Sequence, residues 1–104
     1  MSRYILFVQC APKEGCDDEF NRWLDEQHLE DICAIPGVSS ARRLEAVEAG
    51  WATPPVPYAT IYELETDAPE EVLAAIRQGG ADGSIPVSDA LDRSSAKLWL
   101  FKHR

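Results

Sequence analysis

Two histidines occur in the 104 residues, and one of them, His28, sits in the run WLDEQHLEDICAIPG (residues 23 to 37), next to Gln27 and three positions before Asp31. An imidazole with a carboxylate one helical turn away is simple equipment for proton transfer near neutral pH, where an unperturbed histidine titrates. In a continuous α-helix turning about 100° per residue, Phe20, Trp23, Leu24, Ala34 and Ile35 share one apolar arc, and Gln27, His28 and Asp31 interrupt it. Buried polar groups without partners cost several kcal/mol, roughly, so these three must satisfy one another or face a wet cavity. A direct or water-bridged His28–Asp31 bond would fix the imidazole tautomer and raise its pKa, as suits a general base. The competing reading is structural: His28 bonds a carbonyl or a tyrosine of the sheet, and Asp31 pairs with Arg42 or Arg43.

The elements that position these groups follow from periodicity. Residues 3 to 10, RYILFVQC, form a strand with Tyr4, Leu6, Val8 and Cys10 on one face and Ile5 and Phe7 on the other. After the loop APKEGC, Asp17 or Asp18 can cap a helix from about Asp18 to Ala34, which Pro36 and Gly37 stop. Residues 38 to 48 and 58 to 65 read as strands, Tyr58, Thr60, Tyr62 and Leu64 sharing a face, with a proline-rich loop between them. Asp67 and Glu70 have capping-box spacing for a second helix that ends at Gly79-Gly80. A loop with room for one helical turn at Asp89 to Leu91 leads to a last strand, AKLWLFKH, apolar on both faces. The order β-α-β-β-α-β is the ferredoxin-like arrangement, an α+β class with a four-stranded antiparallel sheet and both helices on one face. Residues 1 to 104 then make a single domain. Strands apolar on both sides require a cover for the second face, and a second copy of the chain is the expected one.

Other side chains could serve the same pocket. Tyr4, Tyr58 or Tyr62 could donate to a developing enolate or phenolate beside His28, Tyr62 being the first choice. Trp23, Trp51 and Trp99 offer flat surfaces to an aromatic ligand, with Trp51 placed in a loop as a lid or dimer contact. Arg42 and Arg43 could hold a carboxylate, but neighbours in a strand point to opposite faces, so at most one serves a given pocket.

A net charge of −8 disfavours nucleic acid and anionic membranes as partners. No apolar run reaches bilayer length, and Met1-Ser2-Arg3 leads straight into a strand, so a cytoplasmic protein is expected. Cys10, Cys16 and Cys33 have no C-x-x-C spacing and read as reduced thiols. Gly79-Gly80 and Gly83 lack the lysine and the preceding strand of a phosphate loop, and neither a nucleophile elbow nor metal-ligand spacing is present, which leaves proton transfer as the chemistry and no cofactor.

Over the first 44 residues the chain resembles a known family. Trp23, then His28-Leu29, Ile35-Pro36-Gly37 and Ala41-Arg42-Arg43 are similar to the W-x4-H-L…P-G-[FV]-x-x-A-x-R pattern of EthD-like proteins in the dimeric α+β barrel superfamily. It departs at Glu30, where proline often follows H-L, and at Leu44, where an aromatic often follows the arginine. The resemblance implies a homodimer whose two sheets close into a barrel, with a pocket between helices and sheet in each protomer and the helix histidine, here His28, facing it as acid or base. Relatives include cofactor-free monooxygenases, polyketide cyclases, muconolactone isomerase and haem-binding members. A haem arrangement is not expected here, because His103 lies near the C-terminus and leaves His28 as the sole well-placed imidazole.

The expected function is a cofactor-independent enzyme moving protons on an aromatic or polyketide-like small molecule as a cyclase, isomerase or lyase. The alternatives are a non-catalytic dimeric ligand-binding or accessory protein and a cofactor-free monooxygenase. The expected catalytic set is His28, Asp31 and Tyr62, with Trp23, Gln27, Tyr4, Arg43 and Trp51 on the substrate.

Overall fold

A computed structural model describes residues 1 to 104. Strand β1 (Arg3–Pro12) leads to a first helix in three consecutive pieces: α1 (Asp17–Trp23), a π-helical turn (Leu24–His28) and α2 (Leu29–Cys33). Strands β2 (Val38–Glu45) and β3 (Tyr58–Glu65), helix α3 (Pro69–Asp82) and strand β4 (Leu91–Lys102) complete the chain. The sheet order is β2-β3-β1-β4 and every pairing is antiparallel, the ferredoxin-like α+β topology expected. The shortest dimension, 21 Å, suits one helix layer on one sheet, each roughly 10 Å thick.

Register decides what the helices cover. Leu6 lies opposite Tyr62 and Leu100, and Val8 opposite Thr60 and Leu98, so these side chains form two bands across one face. That face meets the helices: Leu6, Tyr62 and Leu64 pack with Ile32, Val72 and Ile85, while Cys10 packs with Phe20, Leu24 and Ala90. The other face carries Phe7 against Trp99 at 6.1 Å, with Trp99 and Phe101 well exposed.

The first helix departs from the uniform α-helix expected. The Leu29 amide donates to the Leu24 carbonyl, five residues back, which adds one residue to that turn. Beyond it the buried stripe moves along by one position. Gln27 and Ala34 are exposed and Asp31 is half-buried, whereas Ile32 is fully buried and Leu29 and Ile35 pack on the core. An apolar seam that looks interrupted at constant α-pitch is therefore largely continuous, with His28 and one occluded Asp31 oxygen intruding.

Smaller expectations are corrected too. Neither helix has a side-chain cap: Cys16 and Ala68 occupy the N-cap positions, the Asp67 carboxylate accepts from the Ser2 amide, and Pro69 opens the first turn of α3. Helix α3 runs past Gly79-Gly80 to Asp82 and ends where Gly83 takes φ +83°. β2 stops at Glu45, short of residue 48. No helical turn forms at Asp89 to Leu91; β4 already starts at Leu91, which pairs with Pro12, and Asp92 pairs with Ala11.

Gly79 is buried because the loop after α3 folds back on it. A Cβ built there would lie 2.5 Å from both Cδ1 and Cγ1 of Ile85 and 3.0 Å from its Cβ, and the Ile85 amide donates to the Gly79 carbonyl. At Gly80 nothing lies within 4 Å. Gly79→Ala should lower the melting temperature, since overpacking of about 1–3 kcal/mol exceeds the helix-propensity gain of about 0.8–1.0 kcal/mol. Gly80→Ala should raise it by the propensity gain alone. Thermal melts of both variants check the pair, and equal shifts would contradict the close packing at Gly79.

Candidate functional site

Between the two layers lies a cavity of about 220 Å³. Its sheet wall is Leu6, Val8 and Cys10 of β1, Thr60 and Tyr62 of β3, and Ala96 and Leu98 of β4. Its helix wall is Trp23, Leu24, His28 and Ile32 with Ile76 and Gly80 of α3, and Ile85, Val87 and Leu91 close one end. Of the 16 lining residues 13 are hydrophobic and none is Lys, Arg, Asp or Glu, so a bound molecule exchanges water for apolar surface and a few fixed polar atoms. Hollows of about 460 and 490 Å³ lie outside this cavity and are more open. The second, between α3 and β4, shares Leu6, Ile76 and Leu98 with the cavity, so the two adjoin at the half-exposed Leu98.

The π turn sets the histidine. Trp23 and His28 are five residues apart, a spacing that a π turn brings into line, and their rings stack at 4.5 Å between centroids with 37° between planes. The Trp23 indole N–H donates to the Pro86 carbonyl at 3.2 Å, fastening the stack to the loop after α3. Of the His28 ring nitrogens, Nδ1 is fully occluded and has no partner. Asp31 Oδ2 is occluded and unpartnered as well, so the expected direct His28–Asp31 bond is not formed. The expected rise in the His28 pKa is also corrected: burial pushes it below its ordinary 6.5, and the Asp31 charge offsets this only partly. The ring is neutral at neutral pH, the form that accepts a proton.

Tyr62 is buried on the opposite wall, and its phenol is held far above its ordinary 10, first by burial, then by the Cys33 and Cys10 thiols, with Arg43 opposing. It remains a proton-bearing donor across the physiological range. Burial likewise pushes the Cys10 thiol up against the pull of Arg43, which keeps it protonated and a poor nucleophile.

Of the residues singled out in the sequence, the structure brings His28, Tyr62 and Trp23 to one cavity. The others lie elsewhere. Gln27 is exposed beside Trp23 and Glu26 in an outer depression. Tyr4 packs at the far end of the core with the Lys102 ammonium 6.0 Å from its ring centre. Trp51 is 87% exposed in the loop between β2 and β3. Arg43 is already engaged: its guanidinium donates to Asp25 at 2.8 Å and Asn21 at 2.9 Å and lies over the Phe20 and Tyr58 rings. His103 does not line the cavity; its ring pairs with Glu63 at 3.2 Å and its amide donates to the Arg3 carbonyl.

Thr60, Cys10 and the Ile85–Leu91 end of the cavity were not anticipated as site residues. Alternation already placed Thr60 with Tyr62 and Cys10 with Leu6, but the side turned to the helices is decided by packing across the layers. No three His, Cys, Asp or Glu side chains cluster to hold a metal ion, and no helix is long and apolar enough to cross a membrane.

This two-layer α+β chain, with its histidine over the sheet, has an EthD-like fold. The crystal structure of an ethyl tert-butyl ether D (EthD) family protein from Bacillus halodurans superposes with a TM-score of 0.65, covering 100% of both chains at 14% sequence identity. No protein-family model and no curated protein matches the sequence.

A neutral buried histidine has a signed effect on stability. Its folded pKa lies below the unfolded value near 6.5, so the unfolded chain takes up the proton first on acidification. His28 therefore costs no stability above that value, and stability falls as pH drops through it towards the folded pKa. Melting temperatures measured from about pH 7.5 down to 5 should decline less in His28→Gln than in the wild type. Parallel curves would mean that the ring is not held neutral.

Proposed function

We propose that the chain is a cofactor-independent enzyme in which His28 moves a proton on an aromatic or polyketide-like small molecule held in the cavity. The observation that carries this reading is a neutral imidazole lining a part-open, mainly apolar chamber between helices and sheet. The ligand's acidic hydroxyl, or a C–H beside a carbonyl, gives its proton to His28, and the Tyr62 hydroxyl donates to the oxygen on which negative charge develops. Asp31 acts through its charge, favouring the imidazolium once formed, and Trp23 holds the ring plane. Cyclisation, isomerisation and elimination all use this step, and oxygenation of an activated phenol begins with it.

A non-catalytic ligand-binding or accessory protein is the second reading, favoured by the missing His28–Asp31 hydrogen bond. A thermal-shift and turnover screen of phenolic, polyketide and lactone compounds separates the two. His28→Ala should keep its fold and lose about 100-fold or more in turnover of any compound that stabilises the wild type. Undiminished turnover, or binding without any turnover, favours the second reading.

We propose further that a second copy covers the open sheet face, where Trp99 and Phe101 stand 42% and 57% exposed next to Phe7. A mass measurement in solution should give twice the mass of one chain, with Phe101→Glu shifting it towards one. A stable wild-type monomer contradicts the proposal.

A further inference from the structure

Two hydroxyls on the sheet wall have no protein partner. Thr60 and Tyr62 are 2% and 3% exposed, stand two residues apart on the same face of β3, and both line the cavity. Neither hydroxyl takes part in any side-chain hydrogen bond of the structure. Nor is either among the side-chain atoms that are fully occluded and unpartnered. Each hydroxyl therefore keeps some accessible surface, and both residues line the chamber. A hydroxyl in a nearly buried residue with no protein partner is free to bond a polar ligand atom, and two at alternate positions of one strand make a station for one.

The same chamber offers nothing to an ion. No lysine or arginine lines it, Arg43 is committed to Asp25 and Asn21, and the chain carries a net charge of −8. A carboxylate entering would lose its water without gaining a counter-charge.

We propose that the cavity selects uncharged, flat molecules bearing two oxygen functions, one for His28 on the helix wall and one for a Thr60–Tyr62 station on the sheet wall, an inference that rests on this cavity being the ligand site. Thr60 is then a specificity-determining residue: its hydroxyl accepts from a ligand hydroxyl or donates to a ligand carbonyl, while Tyr62 donates. The substrate class narrows to neutral dioxygenated aromatics and enolic ketones, and aromatic acids are excluded.

The test is calorimetric titration at neutral pH of wild type, Thr60→Val, Tyr62→Phe and His28→Ala with 1,5-dihydroxynaphthalene, 1-naphthol and 1-naphthoate. Thr60→Val and Tyr62→Phe keep side-chain shape and remove only the hydroxyl, and a melt of each shows that it folds. Each should weaken 1,5-dihydroxynaphthalene by about three- to tenfold, the worth of one hydrogen bond. 1-Naphthoate should bind at least about tenfold more weakly than 1-naphthol. Wild-type affinity in both hydroxyl variants, naphthoate binding as tight as naphthol, or no saturable binding of either neutral probe overturns the proposal. A loss confined to His28→Ala removes the sheet station and leaves the His28 reading standing. Losses in the two β3 variants with His28→Ala unaffected support the station and count against His28.

Discussion

The hydrogen bond from the Leu29 amide to the Leu24 carbonyl reaches one residue further than an α-helical bond, and the cavity is arranged around that extra residue. Before it, Phe20 and Leu24 face the sheet; after it, Leu29, Ile32 and Ile35 do. Without the added residue a rigid α-helix would turn Gln27, Asp31 and Ala34 inward and strand polar groups over an apolar floor. With it, one imidazole enters the seam and is stacked on Trp23. A π turn is less favourable than the α-helix around it, and such turns concentrate at functional sites. Here it is retained where it aims the histidine.

Electrostatics then act on a small number of groups. The chamber is mainly apolar, so burial outweighs the one nearby charge at His28 and keeps the ring neutral, while on the opposite wall burial keeps Tyr62 and Cys10 protonated. A proton acceptor thus faces proton donors across an apolar gap. Such a site binds ligands by area and shape and orients them by a few hydrogen bonds.

Much of the architecture was legible in the sequence. Alternation in RYILFVQC and YATIYELE, the Pro36-Gly37 stop and the β-α-β-β-α-β order anticipate the sheet and its two helices, and His28 stands out by type and position. What was hidden depends on contacts between distant residues. Periodicity assumes constant helical pitch, so it cannot register a one-residue insertion, and it placed Gln27 and Ala34 on the buried arc for that single reason. Gly79-Gly80 reads locally as a helix end, yet Gly79 is a seat for Ile85, six residues on, and the turn is made at Gly83. Arg43 reads as a carboxylate holder or a partner for Asp31, but its actual partners Asn21 and Asp25 are brought to it only when the first helix lies across β2.

The position of β1 in the sheet has a kinetic consequence. It lies at the centre, between β3 and β4, so residues 3 to 12 must find partners in residues 58 to 65 and again in 91 to 102 before either cavity wall is complete. Both pairings close long stretches of chain, and the entropy of closure is spent before the contacts repay it, which slows folding compared with a chain of local hairpins. Until β4 docks, one edge of β1 stays unpaired beside an apolar strand, open to pairing with another chain. The strand that carries the floor of the chamber is therefore also the one whose second edge is covered only by the last strand of the chain.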